Sequence, residues 1–262
     1  MEQTRRRVLR AIGASGLAVF AGVSGAQQTT TTGGGGGSER AVGIRAIHAI
    51  PGGPNVDVFI DGDPVLQDVA FKDVSDYLEV QPGEYTVQVT PTGQGQGTAL
   101  LEEQVTLEAP LDYTFAAAGT PDNPESFVFE DRNEIPSGNR VSVRAVHLSP
   151  DAPAVDIAAD GDLLVEGLEF GNASQYVDLP AGSYTIEVRP AGENQAVAST
   201  DVTLDGGTVI SMFAVGLLQT NNDAEALDLV TAVDSGGEGT TTTQEGTGTE
   251  TTGAGTTTTQ SS

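Results

Sequence analysis

The chain has 262 residues, no cysteine, and a formal net charge of -26 from 37 acidic and 11 basic residues. The missing cysteine excludes disulfides, thiolate metal sites, a cysteine nucleophile and an acylated lipoprotein cysteine. So acidic a surface repels phosphate backbones and anionic headgroups, so neither nucleic acid nor a membrane surface is an expected partner. Lys72 is the single lysine, and Arg5, Arg6, Arg7 and Arg10 all lie in the first ten residues, leaving the rest of the chain more acidic still. At about 1 M salt the Debye length falls to about 3 Å and most self-repulsion disappears. The composition therefore fits a halophilic, archaeal source; the plainer alternative is an acidic secreted protein.

In chain order, residues 1–26 read as an export signal. Arg5 and Arg6, followed by Val8 and Leu9, resemble the twin-arginine pattern, and the apolar stretch Ala11 to Val23 is too short to span a bilayer stably. The small residues Ser24, Gly25 and Ala26 suit a signal peptidase, so the mature chain is expected to start near Gln27. A basic Sec-type signal is the alternative, and either route leads out of the cytoplasm. Residues 27–40 (QQTTTTGGGGGS and its flank) and residues 235–262 are Thr- and Gly-rich and lack apolar residues to form a core. They are expected to be disordered linker and tail, glycosylated stalk or bare spacer. No membrane span is expected in the mature chain.

Between these ends the chain repeats at an offset of 99 residues. Val42 to Pro91 lies over Val141 to Pro190 without a gap, and roughly 19 of those 50 positions are identical. The expected domains are residues 41–134 and 141–234, joined by a linker at 135–140. In the first copy, short alternating segments read as strands near 42–48, 55–60, 74–80, 84–90, 98–107, 112–118 and 126–130, broken by Gly, Pro and Asp. Seven strands in about 95 residues predict an all-β fold: two tandem antiparallel β-sandwiches of immunoglobulin or transthyretin-like form. Asp61-Gly62 and Asp160-Gly161 supply residues that tolerate positive φ in tight turns. Tyr85, Val87 and Val89, like Tyr184, Ile186 and Val188, share one strand face, predicted to be the core side.

The stretch VSVRAVHLSPDAPAVDIAADG, with Arg144, His147, Ser149, Pro150, Asp151, Pro153, Asp156, Asp160 and Gly161, followed by Tyr176, Gly182 and Tyr184, resembles the DUF4397 family. The first copy keeps Arg45, His48, Pro51, Pro54, Asp57, Asp61 and Gly62, but has Ile50, Gly52 and Gly53 in place of Ser, Asp and Ala. The resemblance covers nearly all of both copies. It implies exported β domains of uncharacterised function and supplies no catalytic residues.

Three sets of side chains are candidates for chemistry. His48 and His147, the only histidines, stand nine residues before Asp57 and Asp156. Each His–Asp pair could orient an imidazole for a metal or a proton, or simply bridge two strands beside the Pro-rich loop; the structural role is favoured because no neighbouring nucleophile completes a triad. Asp57, Asp61 and Asp63, with Asp156, Asp160 and Asp162, gather carboxylates of the kind calcium favours, although the spacing lacks the EF-hand pattern and Asp-Gly-Asp is ordinary turn chemistry. Calcium is the only cofactor the sequence suggests. Asn172-Ala173-Ser174 is a glycosylation sequon. The expectation is an exported, non-enzymatic cell-surface or secreted interaction module whose partner is an unidentified cell-envelope or extracellular component, with two copies adding avidity. The rivals are a calcium-stabilised spacer and a metal-dependent hydrolase acting through the His and Asp pairs.

Overall fold

The computed structural model describes residues 40–236; the expected signal, nearly all of the N-terminal linker and most of the C-terminal tail lie outside the described residues. Each repeat forms eight strands. In repeat one these are β1 (Val42–His48), β2 (Val56–Ile60), β3 (Asp63–Val69), β4 (Leu78–Val80), β5 (Gly83–Pro91), β6 (Leu101–Leu107), β7 (Asp112–Thr120) and β8 (Asn123–Asp131). Repeat two follows with β9 (Arg140–His147), β10 (Val155–Ala159), β11 (Asp162–Leu168), β12 (Val177–Pro180), β13 (Gly182–Pro190), β14 (Ala198–Leu204), β15 (Thr208–Val215) and β16 (Asp228–Gly236). Strand β9 thus begins inside the expected linker, and β16 runs two residues into the expected tail. Among the described residues no helix is long and apolar enough to cross a membrane.

The strands of each repeat form two four-stranded sheets. Repeat one pairs them in the orders β4-β1-β7-β8 and β3-β2-β5-β6, and repeat two copies this as β12-β9-β15-β16 and β11-β10-β13-β14. Two features depart from the expected seven-stranded antiparallel sandwich. Strands β3 and β11 were not anticipated, because DPVLQDV and DLLVEGL are half exposed and show no clean alternation. Strand β1 pairs β7 in parallel, as β9 pairs β15, each joining strands some seventy residues apart, a separation long enough for the crossover that parallel pairing requires. The turns behave as read: Asp61 and Asp160 take φ of +49° and the glycines after them +90°.

Alternation divides β1 into two buried faces. Val42, Ile44 and Ala46 point into repeat one's own core with Val58, Val87 and Tyr113. Ile47 and Ala49 point the other way, where they join Ala116, Ala118 and Phe129 against Val146, Leu148, Phe213 and Val215 of repeat two. The β1 and β9 sheets therefore pack face to face, and the two sandwiches form four stacked layers with three apolar seams. Both repeats fall within one compact unit. A sheet buried on both faces needs nearly continuous apolar strands. The runs FAAAG in β7 and ISMFAV in β15 supply them.

Candidate functional site

The two histidines and their aspartates hold loops, and they do so separately. On β1, His48 faces inward beneath the loop that follows, where its Nδ1 accepts from the Ile50 N–H at 3.4 Å and its Nε2 lies 3.0 Å from the Pro54 carbonyl. His147 repeats this with Ser149 at 3.3 Å and Pro153 at 3.0 Å. One tautomer, with the proton on Nε2, satisfies both contacts. Burial pushes both imidazoles below the ordinary histidine range, so they stay neutral at pH 7.

Asp57 stands on the outer face of β2, between the inward-facing Val56 and Val58, and so does not meet His48. Its carboxylate accepts from the Asp68 and Gly93 N–H groups at 2.9 and 3.0 Å and from the Thr92 hydroxyl at 3.2 Å. The Asp68 bond, then the Gly93 bond, hold its pKa below the usual carboxylate range. Asp156 accepts the matching pair from Gly167 and Gly192 at 2.7 and 2.8 Å. The expected His–Asp bridge is thus replaced by two independent loop anchors.

Asp61 and Asp160 spend one oxygen each on the N–H of Thr86 and Thr185, both at 2.8 Å, and Asp63 and Asp162 are exposed. Among the described residues no three His, Asp or Glu side chains gather in a group that could hold a metal ion. Asn172 is exposed, in the turn before β12.

The difference between the two copies of the Pro-rich loop has a structural reason. Asp151 caps the N–H groups of Leu218 and Gln219 at 2.7 and 2.9 Å, pinning the long connection from β15 to β16. Repeat one joins β7 to β8 by a tight turn that offers no such groups, and the position equivalent to Asp151 is Gly52.

Sequence reasoning missed the most organised polar cluster, which lies in the seam between the repeats. Arg45 donates from Nε to Thr114 at 2.8 Å, from one terminal nitrogen to the Val233 carbonyl at 3.0 Å, and from the other to the Asp234 carboxylate. Arg144 mirrors each bond, to Ser211 at 2.7 Å, to the Glu130 carbonyl at 2.8 Å, and to the Asp131 carboxylate. Each repeat's arginine thus crosses to the other repeat's last strand. Tyr77 and Tyr176 donate to Asp131 and Asp234, both at 2.6 Å. Burial raises the pKa of both phenols, which keeps them protonated as donors, and it raises that of Asp234 as well. The charged side chains of the cluster are at most 3% exposed. The cluster has donors and acceptors in balance and no free nucleophile, so its chemistry is that of a clasp.

The fold and these sites define a tandem β-sandwich protein in which the repeated polar residues anchor loops and lock two domains together. The chain belongs to the DUF4397 family, a domain of unknown function, whose model matches residues 42–158 and 141–244. No curated protein matches it. Among solved structures it is similar to a chain described under alpha-glucan recognition by family 41 carbohydrate-binding modules from streptococcal virulence factors, at 13% identity and a TM-score of 0.22, over 66% of this chain and 92% of that one.

Proposed function

We propose that the protein is an exported, non-enzymatic binding module of the cell surface or extracellular space. The observation that carries this reading is how the reactive side chains are used: both histidines, Asp57 and Asp156 are tied to backbone groups of their own loops. What remains for a partner is the exposed loops on a rigid stack, an arrangement suited to recognition. Export runs through the twin-arginine signal at Arg5 and Arg6, a route that carries folded cargo and suits a chain whose two domains lock together before use.

The shared seam also changes how avidity can arise. Two repeats clasped back to back present their outer sheets in opposite directions, so they can bridge two partner molecules more readily than grip one repeating partner. The test is capture from cell-envelope extracts on the immobilised full chain at high salt, followed by titration of the captured component. Saturable binding supports the reading. Absence of any saturable partner in envelope and culture-medium fractions refutes it.

A further inference from the structure

The two repeats differ in how well their own cores close. In repeat two, Ala214 of β15 faces Leu229 of β16, and Ile186 of β13 faces Thr200 of β14; Leu229, Ile186 and Thr200 are all buried, together with Met212. Registers with β9 and β10 assign the equivalents in repeat one: Ala117 faces Ser126 of β8, and Val87 faces Glu103 of β6. Where repeat two places an isobutyl side chain, repeat one therefore has a hydroxymethyl group with a carboxylate opposite. Ser126 donates to Glu103 across the gap between the sheets, and both are only half buried.

Behind this pair lies an apolar cavity bounded by Val58, Val89, Leu101, Phe115 and Phe127, with about 30 Å³ open to the centre of a water-sized sphere. About 10–15 Å³ on that measure holds one water, but a wall this apolar gives a water too few partners. The space suits carbon, and the only acidic group on its rim suits a cation.

We propose that repeat one binds a small branched aliphatic ammonium between its two sheets, its alkyl group taking the place that Leu229 fills in repeat two and its charge pairing with Glu103. The inference rests on the reading of the chain as a binding module and adds a ligand class to it. The ammonium replaces Ser126 as the donor to Glu103, a contact short enough to persist in strong salt. A ligand of this size binds weakly, with a dissociation constant of about a millimolar.

The test uses the full mature chain and isobutylamine at neutral pH, followed by amide and methyl NMR shifts. Expected are saturable shifts confined to residues around Phe115, Leu101 and Ser126, with isobutanol binding at least about threefold more weakly. Ser126→Leu should fill the space and weaken isobutylamine at least about tenfold while raising the melting temperature. Unchanged affinity in Ser126→Leu, or no saturation by isobutylamine at tens of millimolar, overturns the site. If Ser126→Leu does not fold, Glu103→Gln decides: it must weaken the amine and leave isobutanol unchanged, and any other pattern refutes the pairing. Failure here with envelope capture intact removes only this ligand, whereas loss of envelope capture removes the module reading itself.

Discussion

Replacing Asp234 by alanine should be among the costliest single changes in the seam. The carboxylate accepts from Arg45, Ser211 and Tyr176, and the Arg45 side chain is 2% exposed, so water cannot take over the lost contact. Breaking one side of a buried ion pair costs about 3–5 kcal/mol, chiefly because the other charge is stranded. Asp131, 3.8 Å from the same guanidinium, remains to receive part of that charge and holds the loss near the lower end. Against a total stability of about 5–15 kcal/mol this is a large fraction. Urea unfolding at fixed high salt, followed by circular dichroism, reads it directly. Pairing Asp234→Leu with Arg45→Met should recover at least half of the loss, because apolar replacements of a buried pair are often neutral. A loss below about 1 kcal/mol, the scale of an exposed pair, or a double variant no better than the single one, would refute the clasp.

Other outcomes follow from the same geometry. Both histidines have pKa values lowered by burial, so the unfolded chain takes up their protons first as pH falls below about 6.5. Their contribution is complete above that pH and declines below it, by at most about 1.4 kcal/mol per pH unit for each histidine and only until the folded-state pKa is reached. The two imidazole resonances should titrate below 6.5, and midpoints at or above that value contradict the buried tautomer. Gly171 has φ of +73°, and a Cβ there would lie 2.3 Å from the Phe127 ring of the other repeat. Gly171→Ala should therefore cost about 2–4 kcal/mol from backbone strain and overpacking, measured by urea unfolding; a loss under about 1 kcal/mol would mean that the seam yields. Calorimetric titration with calcium should show no saturable binding if Asp57, Asp61 and their copies serve only the loops; two ions bound per chain would make them metal ligands.

Much of each repeat was legible because its strands obey one physical rule, alternation between a core and an outer face. Tyr85 and Val87 enter their own core, as do Tyr184, Ile186 and Val188. The Asp-Gly turns were legible for a different reason: few residues accept φ near +50° followed by +90°. Strand β3 was not, since pairing with β2 sustains a segment whose own pattern is weak. The stacking of the repeats left a trace in FAAAG and ISMFAV, apolar on both faces, and another in an arginine set mid-strand in each copy. Their partners stayed hidden because Arg45 and Arg144 keep the 99-residue offset while Asp131 and Asp234 do not, the longer β15–β16 connection having shifted the last strand. The cavity under Ser126 is readable only when the registers of the two copies are compared.

Cutting the folded chain between its repeats is the most direct test that they form one body. A protease site placed at Pro136-Ser137-Gly138, beside the exposed Ile135, leaves every strand intact. After cleavage in native buffer the two halves should co-elute as one species of unchanged size and unfold in a single transition, held by the Arg45–Asp234 and Arg144–Asp131 pairs and the apolar seam. Separation into two folded halves that migrate independently would contradict the four-layer stack and return the chain to two beads on a linker.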